Sequence, residues 1–262
     1  MSVNSYLNDI ASQLIVKGEE KESIKKSIVV FSDRMEDYFS WHESIDLIEM
    51  KIYGSYHRDT NLPRKADSKS DVDIMLVMED DGSTPQTYLN RVRRAVEAKY
   101  STSEIMQSSP TIVLQMNHIK FEIMPAIKDG IYYIKNENNN WMPTYCATDL
   151  SNLSDANQAN NNCIKPLIRL VKYWNASLNY KALHSYEIEK SIVSYYLSKQ
   201  YQGYDTKNYL LSGLKQLRYM TMSEFSRERL DTAIDSVRWV INNEKNYPSL
   251  SLHEIKHVIK EL

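Results

Sequence analysis

The sequence predicts an α+β protein in which a mixed α/β part is followed by an all-helical part. Strand-like patterns occur only between residues 47 and 135, whereas apolar residues at helical spacing continue from residue 154 onward. The 262 residues include only six glycines and seven prolines, which favours long helices over frequent turns. Because 42% of the residues are hydrophobic, the chain can fill a core, and we expect domains at residues 1–150 and 151–262.

In the first part, helices and strands are mixed. Residues 71–78 (DVDIMLVM) are bounded by polar residues and have the alternation of a strand. Pro85 suits the first turn of a helix. Residues 111–116 and 119–127 are predicted to form an antiparallel pair of strands joined near Asn117. The elements predicted in this part are helices over 4–16, 19–45 and 85–100 and strands over 45–53, 71–78, 111–116, 119–127 and 131–135.

In the second part, strand patterns are absent after Leu153. The polar segment 136–149, which contains one proline, is predicted to link the two parts. Ser185 is predicted to cap a helix N-terminus, where its hydroxyl can accept a hydrogen bond from a free backbone N–H. The helices predicted in this part cover about 154–178, 185–200, 205–220, 224–244 and 250–261.

The balance of charge limits the classes of function. Lys plus Arg amount to 32 and Asp plus Glu to 34, a net charge of −2, which argues against coating of long nucleic acid by bulk charge. Residues 1–150 hold 17 basic and 23 acidic residues, and residues 151–262 hold 15 and 11. An acidic part joined to a basic part suits a site where metal ions lie between carboxylates and phosphates, although modest asymmetry of this kind is common.

The cysteines and the apolar runs exclude several further classes. Cys146 and Cys163 are too few for a disulfide framework or a cysteine-rich zinc site. No run of apolar residues approaches the ~18 that suggest a membrane-spanning helix. The first residues lack the charged leader and apolar stretch of a secretory signal. We therefore expect a protein of the reducing cytoplasm with no membrane partner.

Three acidic residues on two predicted strands are the main candidates for chemistry. Side chains alternate along a strand, so Asp71 and Asp73 point to the same face, with Cα atoms about 6.5–7 Å apart. A divalent cation such as Mg²⁺ or Mn²⁺ would relieve the repulsion between them. An isolated pair of this kind is more often an exposed strand end. Glu122, however, adds a third acid within an apolar strand, where it is costly unless paired or coordinated.

These residues together resemble the nucleotidyltransferase superfamily that includes DNA polymerase β. The family pattern is a Gly-Ser turn, two acids separated by one residue on a strand, and one acid on a later strand; here it is met by Gly54, Ser55, Asp71, Asp73 and Glu122. The resemblance implies a polymerase β-like nucleotidyltransferase fold with a cleft between two lobes. It also implies two Mg²⁺ (or Mn²⁺) ions held by the three acids, and phosphate binding at the Gly-Ser turn. The family more often has Asp at the third acidic position.

Residues 163–178, the last part of the helix predicted over 154–178, are amphipathic and carry a basic stripe. Lys165, Arg169 and Lys172 lie next to each other on one side of it. Such a stripe is often an ordinary solvated face, but it could instead face an incoming triphosphate. The next helix begins with Ser185 and Tyr186, whose hydroxyl and ring could contact a phosphate and a base.

The basic helix and the helix that begins with Ser185 follow the strand that carries Glu122. In this order they resemble one branch of the superfamily, the cGAS/DncV-like nucleotidyltransferases, and the resemblance covers roughly residues 45–200. The resemblance implies that Lys172 and Ser185 contact the donor triphosphate and that Tyr186 stacks on the base, with Arg169 in the same nucleotide-binding stripe. It further implies an enzyme that makes a cyclic di- or trinucleotide second messenger from nucleoside triphosphates. In a bacterial setting the product would act on a downstream effector in anti-phage defence, of the type called CBASS.

Two alternative functions use the same residues. One is a template-independent polymerase that adds nucleotides to a nucleic-acid 3′ end, or a transferase that nucleotidylates a protein. The net charge of −2 weighs against a long nucleic-acid acceptor without excluding it. The other is a catalytically weak nucleotide-binding module, which the Glu at the third acidic position keeps open.

Overall fold

The computed structural model describes residues 1–199 and 203–262 and divides the chain into two compact units. The unit called here the sheet unit combines residues 17–58 and 69–147; the helical unit combines 1–16, 59–68 and 148–262. In the described residues, no helix is long and apolar enough to cross a membrane.

The helices and strands have the following bounds. The helices are α1 (Val3–Gln13), α2 (Gly18–His42), α3 (Gly54–His57), α4 (Pro85–Lys99), α5 (Cys146–Ala159), α6 (Ile164–Leu178), α7 (Ser185–Leu197), α8 (Thr206–Gln216), α9 (Glu224–Asn243) and α10 (Pro248–Val258). The strands are β1 (Leu47–Tyr53), β2 (Asp71–Met78), β3 (Glu104–Ser108), β4 (Thr111–Gln115), β5 (Lys120–Asp129), β6 (Ile131–Lys135) and β7 (Trp141–Thr144).

The sheet unit is built on a mixed sheet with the order β1-β2-β5-β4-β3, to which β6 and β7 are added beside β5. The strands β2 and β5 are parallel, and β2 pairs with β1 in the antiparallel sense. The residues of β2 from Ile74 to Met78 are all fully buried, which fits a central strand covered on both faces. On one face, Phe31 of α2 meets Phe121 of β5 edge to face, with ring centroids 5.5 Å apart. The helix α4 starts with Pro85 behind the N-cap Thr84.

The helical unit is centred on α6. Its residues Ile168, Val171 and Trp174 are buried in one continuous apolar cluster. A Cβ at Gly213 of α8 would lie 2.8 Å from the side chain of Leu167, so the glycine allows α8 to approach α6 closely.

The two units do not coincide with the predicted division at residue 150. Helix α1 belongs to the helical unit because its apolar side, including Leu7, lies in that unit's core. The hydroxyl of Tyr6 also donates a hydrogen bond to the carbonyl of Ile259 at 2.6 Å. Residues 59–68 belong to the helical unit as well, and Leu62 contributes to the same core. This segment is short and lies between two predicted strands, so no periodic pattern indicates that it packs in the helical unit.

Most predicted elements are confirmed, including β2 and β6 with their predicted bounds. The predicted helix over 154–178 is instead two helices, α5 and α6, because the chain breaks at Asn161 and Asn162, whose φ values of 51° and 60° are left-handed. Asparagine tolerates this conformation better than most residues.

Four further differences concern less hydrophobic segments and the two ends of α7. The predicted linker 136–149 contains β7 and the start of α5. Strand β3 was not predicted; it is an edge strand with mostly exposed side chains, so it lacks an apolar pattern. His184, not Ser185, is the N-cap of α7, and Ser185 is the first helical residue. The predicted helix over 185–200 ends at Leu197, and Gln200 lies outside the described residues.

Candidate active site

The sheet unit brings four charged side chains together on one face. Asp71 and Asp73 lie on β2, two residues apart. In the parallel register, Asp71 pairs with Lys120 of β5, and Asp73 pairs with Glu122. Because the side chains of residues two apart on a strand share a face, the three predicted acids and Lys120 form one cluster.

The Gly-Ser turn predicted at residues 54–55 packs directly against this cluster. Gly54 follows β1 with φ +66°, and a Cβ placed on it would lie 1.8 Å from the Oδ2 of Asp73. Any other residue would therefore collide with the carboxylate as well as strain the backbone. The backbone N–H of Ser55 donates a hydrogen bond to Asp73. Gly54 and Ser55, which the sequence motif associates with Asp73, are thus in contact with it.

Asp73 has a perturbed acidity. Desolvation by burial, and then the negative charges of Asp71 and Glu122, raise the pKa of Asp73 to about 7. The positive charge of Arg58 and the hydrogen bond from Ser55 oppose this shift without overcoming it. At neutral pH a nearby cation would therefore strongly stabilise the ionised form of Asp73.

Lys120 lies between the other two acids. Its Nζ is 2.9 Å from Oδ2 of Asp71 and 2.7 Å from Oε1 of Glu122. The Lys120 side chain is 20% exposed, and those of Asp71 and Glu122 are 27% and 31% exposed. Among residues 1–199 and 203–262, no three His, Cys, Asp or Glu side chains are arranged as a metal site. An ammonium group, rather than open space, separates Asp71 from Glu122.

The chemistry of the cluster nevertheless fits Mg²⁺ or Mn²⁺. Its donors are carboxylate oxygens, which hard divalent cations prefer. When ionised, Asp71, Asp73 and Glu122 together exceed the single positive charge of Lys120. After desolvation, the negative charges of Asp71 and Glu122 contribute to the raised pKa of Asp73.

Two residues near the cluster were not predicted. Tyr53 pairs with Asp73 in the register of β1 and β2, and burial together with the nearby acids holds the pKa of its hydroxyl well above the usual 10. Arg58, at the end of α3, is 4% exposed, and its charge acts on Asp73. The position of Arg58 four residues after Gly54, one turn of helix along, was a signal that could have suggested it.

In the helical unit, Lys172 is buried in a polar cluster. Its Nζ lies 2.7 Å from Oε2 of Glu189 and donates to the carbonyl and hydroxyl oxygens of Thr60 at 3.2 Å each. Thr60 in turn donates to Glu189 at 2.5 Å. The side chains of Lys172 and Glu189 are each 4% exposed. The charge of Lys172 is thus taken up by protein groups, and contact with a phosphate would require exchange of these partners.

The rest of the basic stripe on α6 faces the same segment. Arg169 is buried and donates to the carbonyl of Asp59 at 2.8 Å, and burial lowers the pKa of its guanidinium. Lys165 lies 3.4 Å from the carboxylate of Asp59. The predicted stripe exists, but its members contact residues 59–60 of their own unit. It is therefore not an ordinary solvated face.

The start of α7 is more open. Tyr186 is 45% exposed, and its hydroxyl donates to Asp149 at 3.0 Å. Lys190 lies one turn further along α7, with its Nζ 5.8 Å from the centroid of the Tyr186 ring. Ser185 is partly buried. The nine predicted site residues therefore fall into two sets, five in the sheet unit and four in the helical unit.

Several solved structures have the same fold. Apo DncV from Vibrio cholerae has a TM-score of 0.77 at 10% identity, covering 99% of this chain and 95% of that one. CdnC from E. coli, solved with ATP, has a TM-score of 0.70 at 12% identity, covering 100% and 98%. CdnG from Bradyrhizobium diazoefficiens, solved with GTP, has a TM-score of 0.68 at 10% identity, covering 97% and 96%. The predicted α+β, polymerase β-like nucleotidyltransferase fold is confirmed.

Sequence comparison leads to a family. A probable cyclic nucleotide synthase from Bacillus cereus is 26% identical over 190 residues, 57% of this chain and 56% of that relative, so the match spans little more than half of the relative's length. Residues 1–157 match the sequence model of SMODS, the Second Messenger Oligonucleotide or Dinucleotide Synthetase domain. Since this match takes in more than half of the 262 residues and contains Gly54, Asp71, Asp73 and Glu122, the chain belongs to the SMODS family.

Proposed function

We propose that the protein is a metal-dependent nucleotidyltransferase that makes a cyclic di- or trinucleotide second messenger from nucleoside triphosphates and releases pyrophosphate. The observation that carries this proposal is the cluster of Asp71, Asp73 and Glu122 on adjacent strands, with Asp73 packed against Gly54. Membership of the SMODS family supports the same class of reaction.

In this proposal, the three acids hold two Mg²⁺ or Mn²⁺ ions. Asp71 and Asp73 would hold both ions, and Glu122 would help to hold the one that activates the acceptor hydroxyl. When bound, such ions neutralise phosphate charge and make a hydroxyl a better nucleophile. Binding of a cation would lower the pKa of Asp73, which its surroundings raise to about 7, and would so favour its ionised form. The hydroxyl of Ser55 would donate a hydrogen bond to a phosphate next to Asp73.

The site residues predicted in the helical unit would contact the nucleobase and the phosphates of a bound nucleotide. Tyr186 is exposed enough to stack on a nucleobase, and Ser185 lies at the first turn of α7, where free backbone N–H groups favour a phosphate. We propose that Lys172 and Arg169 contribute positive charge to the triphosphate. Any direct contact requires Lys172 to leave Glu189 and Arg169 to leave the carbonyl of Asp59.

The substrate class and the setting follow by analogy with relatives. CdnC was solved with ATP, CdnG with GTP and DncV with a linear dinucleotide intermediate, which supports nucleoside triphosphates as substrates here. A relative is described as a probable cyclic nucleotide synthase. We propose a cytoplasmic role in bacterial anti-phage signalling, in which the product acts on a separate effector.

The test is incubation of the protein with mixed nucleoside triphosphates and Mg²⁺ or Mn²⁺, followed by mass spectrometry. A product that resists phosphatase, together with pyrophosphate, is expected, because a cyclic product has no terminal phosphate. Asp71→Asn is the matched inactive control. Extension of an added nucleic-acid 3′ end, or labelling of a protein, without a cyclic product would identify the alternative transferases. No metal-dependent release of pyrophosphate under any condition would contradict the proposal and favour a nucleotide-binding module.

A further inference from the structure

Lys120 holds a position in the acidic cluster that the proposed function does not use. Its Nζ contacts Asp71 at 2.9 Å and Glu122 at 2.7 Å, so one ammonium bridges acids on two strands. The contact to Asp71 follows from the parallel register, and that to Glu122 from their two-residue spacing on β5. Both carboxylates are among those proposed to hold divalent cations.

We propose that Lys120 is an internal counter-cation that competes with a divalent cation for Asp71 and Glu122, so that the nucleotide-free enzyme binds this cation weakly. The inference rests on the proposed function, since it concerns the same carboxylates. Lys120 acts through the acids and is therefore a positioning residue. It makes loading of the cluster depend on a metal ion that arrives with a triphosphate.

The environment makes this pair stronger than a typical surface ion pair. All three side chains are two-thirds or more buried, so solvent screens their charges less than at an open surface. A divalent cation that takes both carboxylates must break two charge-assisted contacts of Lys120. Without Lys120, the same cation would meet one more unbalanced negative charge.

The lysine side chain is also suited to leave. Its ammonium is a compact charge on a flexible stem of four carbons, and 20% of its surface is open to solvent. It can thus withdraw while the carboxylates stay on their strands. The three acids remain available as ligands once the ammonium withdraws. Lys120 and a divalent cation would therefore exchange at Asp71 and Glu122, and Lys120 would not replace the cation permanently.

Direct binding of Mn²⁺ to the nucleotide-free protein tests this inference. Titration calorimetry compares the unaltered chain with Lys120→Met, which keeps length but removes charge, and with Lys120→Arg, which keeps charge. We expect Lys120→Met to lower the Kd at least about ten-fold, because two charge-assisted contacts no longer oppose binding. Lys120→Arg should stay within about three-fold of the unaltered chain. Lys128→Met, at the exposed end of the same strand over the ring of Tyr132, is the matched control and should leave the Kd unchanged.

An unchanged or higher Kd for Lys120→Met would overturn the inference and leave Lys120 as a structural partner of the acids. Thermal denaturation in EDTA checks that each variant folds. If Lys120→Met folds poorly, Lys120→Met combined with Glu122→Gln removes the unbalanced charge, and its Kd for Mn²⁺ should be lower than that of Glu122→Gln alone. None of these measurements requires turnover. Failure of the proposed transfer reaction is therefore seen separately, as absence of product from the unaltered protein.

Discussion

Relative to the unaltered metal-free protein, the variant Asp73→Asn should become more stable as the pH rises from 5 to 8. The pKa of Asp73 is raised from the ordinary 3.8 to about 7 by desolvation and by the charges of Asp71 and Glu122. A carboxyl group whose pKa is higher in the folded state binds more protons there than in the unfolded chain. Its contribution to stability is therefore fully present below about pH 4, is lost as pH rises toward 7, and stays lost above it.

The size of this effect follows from the same pKa. Each pKa unit corresponds to about 1.4 kcal/mol, and the range from pH 5 to pH 8 contains about two of the roughly three units. The free energy of unfolding of the unaltered chain should thus fall by up to about 3 kcal/mol across that range from this group alone. The amide introduced by Asp73→Asn does not titrate, so the stability of this variant relative to the unaltered chain should rise by about 1.5–3 kcal/mol from pH 5 to pH 8.

The assay is urea denaturation in EDTA at pH 5 and pH 8. Asp129→Asn, at the exposed end of β5, is the control for loss of one acid and should show no such difference. Addition of Mn²⁺ at pH 8 should stabilise the unaltered chain more than Asp73→Asn, and the variant should lack transferase activity. The pKa reasoning is refuted if the stability difference between Asp73→Asn and the unaltered chain is the same at both pH values. Normal turnover of the variant would instead refute the proposed metal-binding role of Asp73.

Three further predictions concern single residues. Glu122→Gln should abolish transfer while donor triphosphate still binds, whereas Glu122→Asp should keep activity; equal turnover of the Gln variant, measured by pyrophosphate release, would make Glu122 a structural acid. Lys172→Met should lower the free energy of unfolding by about 3–5 kcal/mol in urea, because it removes the ammonium from a buried ion pair with Glu189, and Lys172→Met with Glu189→Leu should recover most of it. A loss below about 1 kcal/mol would show that the pair is not buried in solution. Tyr186→Ala should weaken binding of triphosphate and nucleoside alike by about 1–3 kcal/mol in calorimetry, and Tyr186→Phe should not; a lower Tm without a binding defect would instead identify a packing residue.

The acidic cluster proposed as the catalytic site was largely predictable from the sequence because it depends on strand alternation. Alternation along β2 puts Asp71 and Asp73 on one face, and alternation along β5 puts Lys120 and Glu122 on one face. The sequence does not say that β2 and β5 are adjacent, parallel and in the register that pairs Asp71 with Lys120. That register is set by long-range packing, so the sequence did not predict that the ammonium of Lys120 bridges Asp71 and Glu122.

The helical unit shows the opposite case, in which the pattern was right and the partner was missed. Helical spacing predicted the basic stripe on α6 that includes Arg169 and Lys172. Its partners, Asp59 and Thr60, come from a segment more than 100 residues earlier, and Glu189 from the next helix. A local sequence pattern does not predict contacts between residues so far apart in the sequence.

In the free protein, Lys120 and Lys172 are both held in ion pairs with carboxylates of their own unit. Lys120 bridges acids of the proposed metal cluster, and Lys172 is held by Glu189 in the helical unit. Each interaction satisfies a charge that would otherwise be costly when partly or fully buried. Each also has to be exchanged if the residues are to meet a metal ion or a phosphate. The fully buried Lys172 pair is the harder of the two to open, since its side chains are 4% exposed against 20–31% in the Lys120 cluster. We therefore expect the contacts of Lys120 to exchange with a ligand more readily than the contact between Lys172 and Glu189.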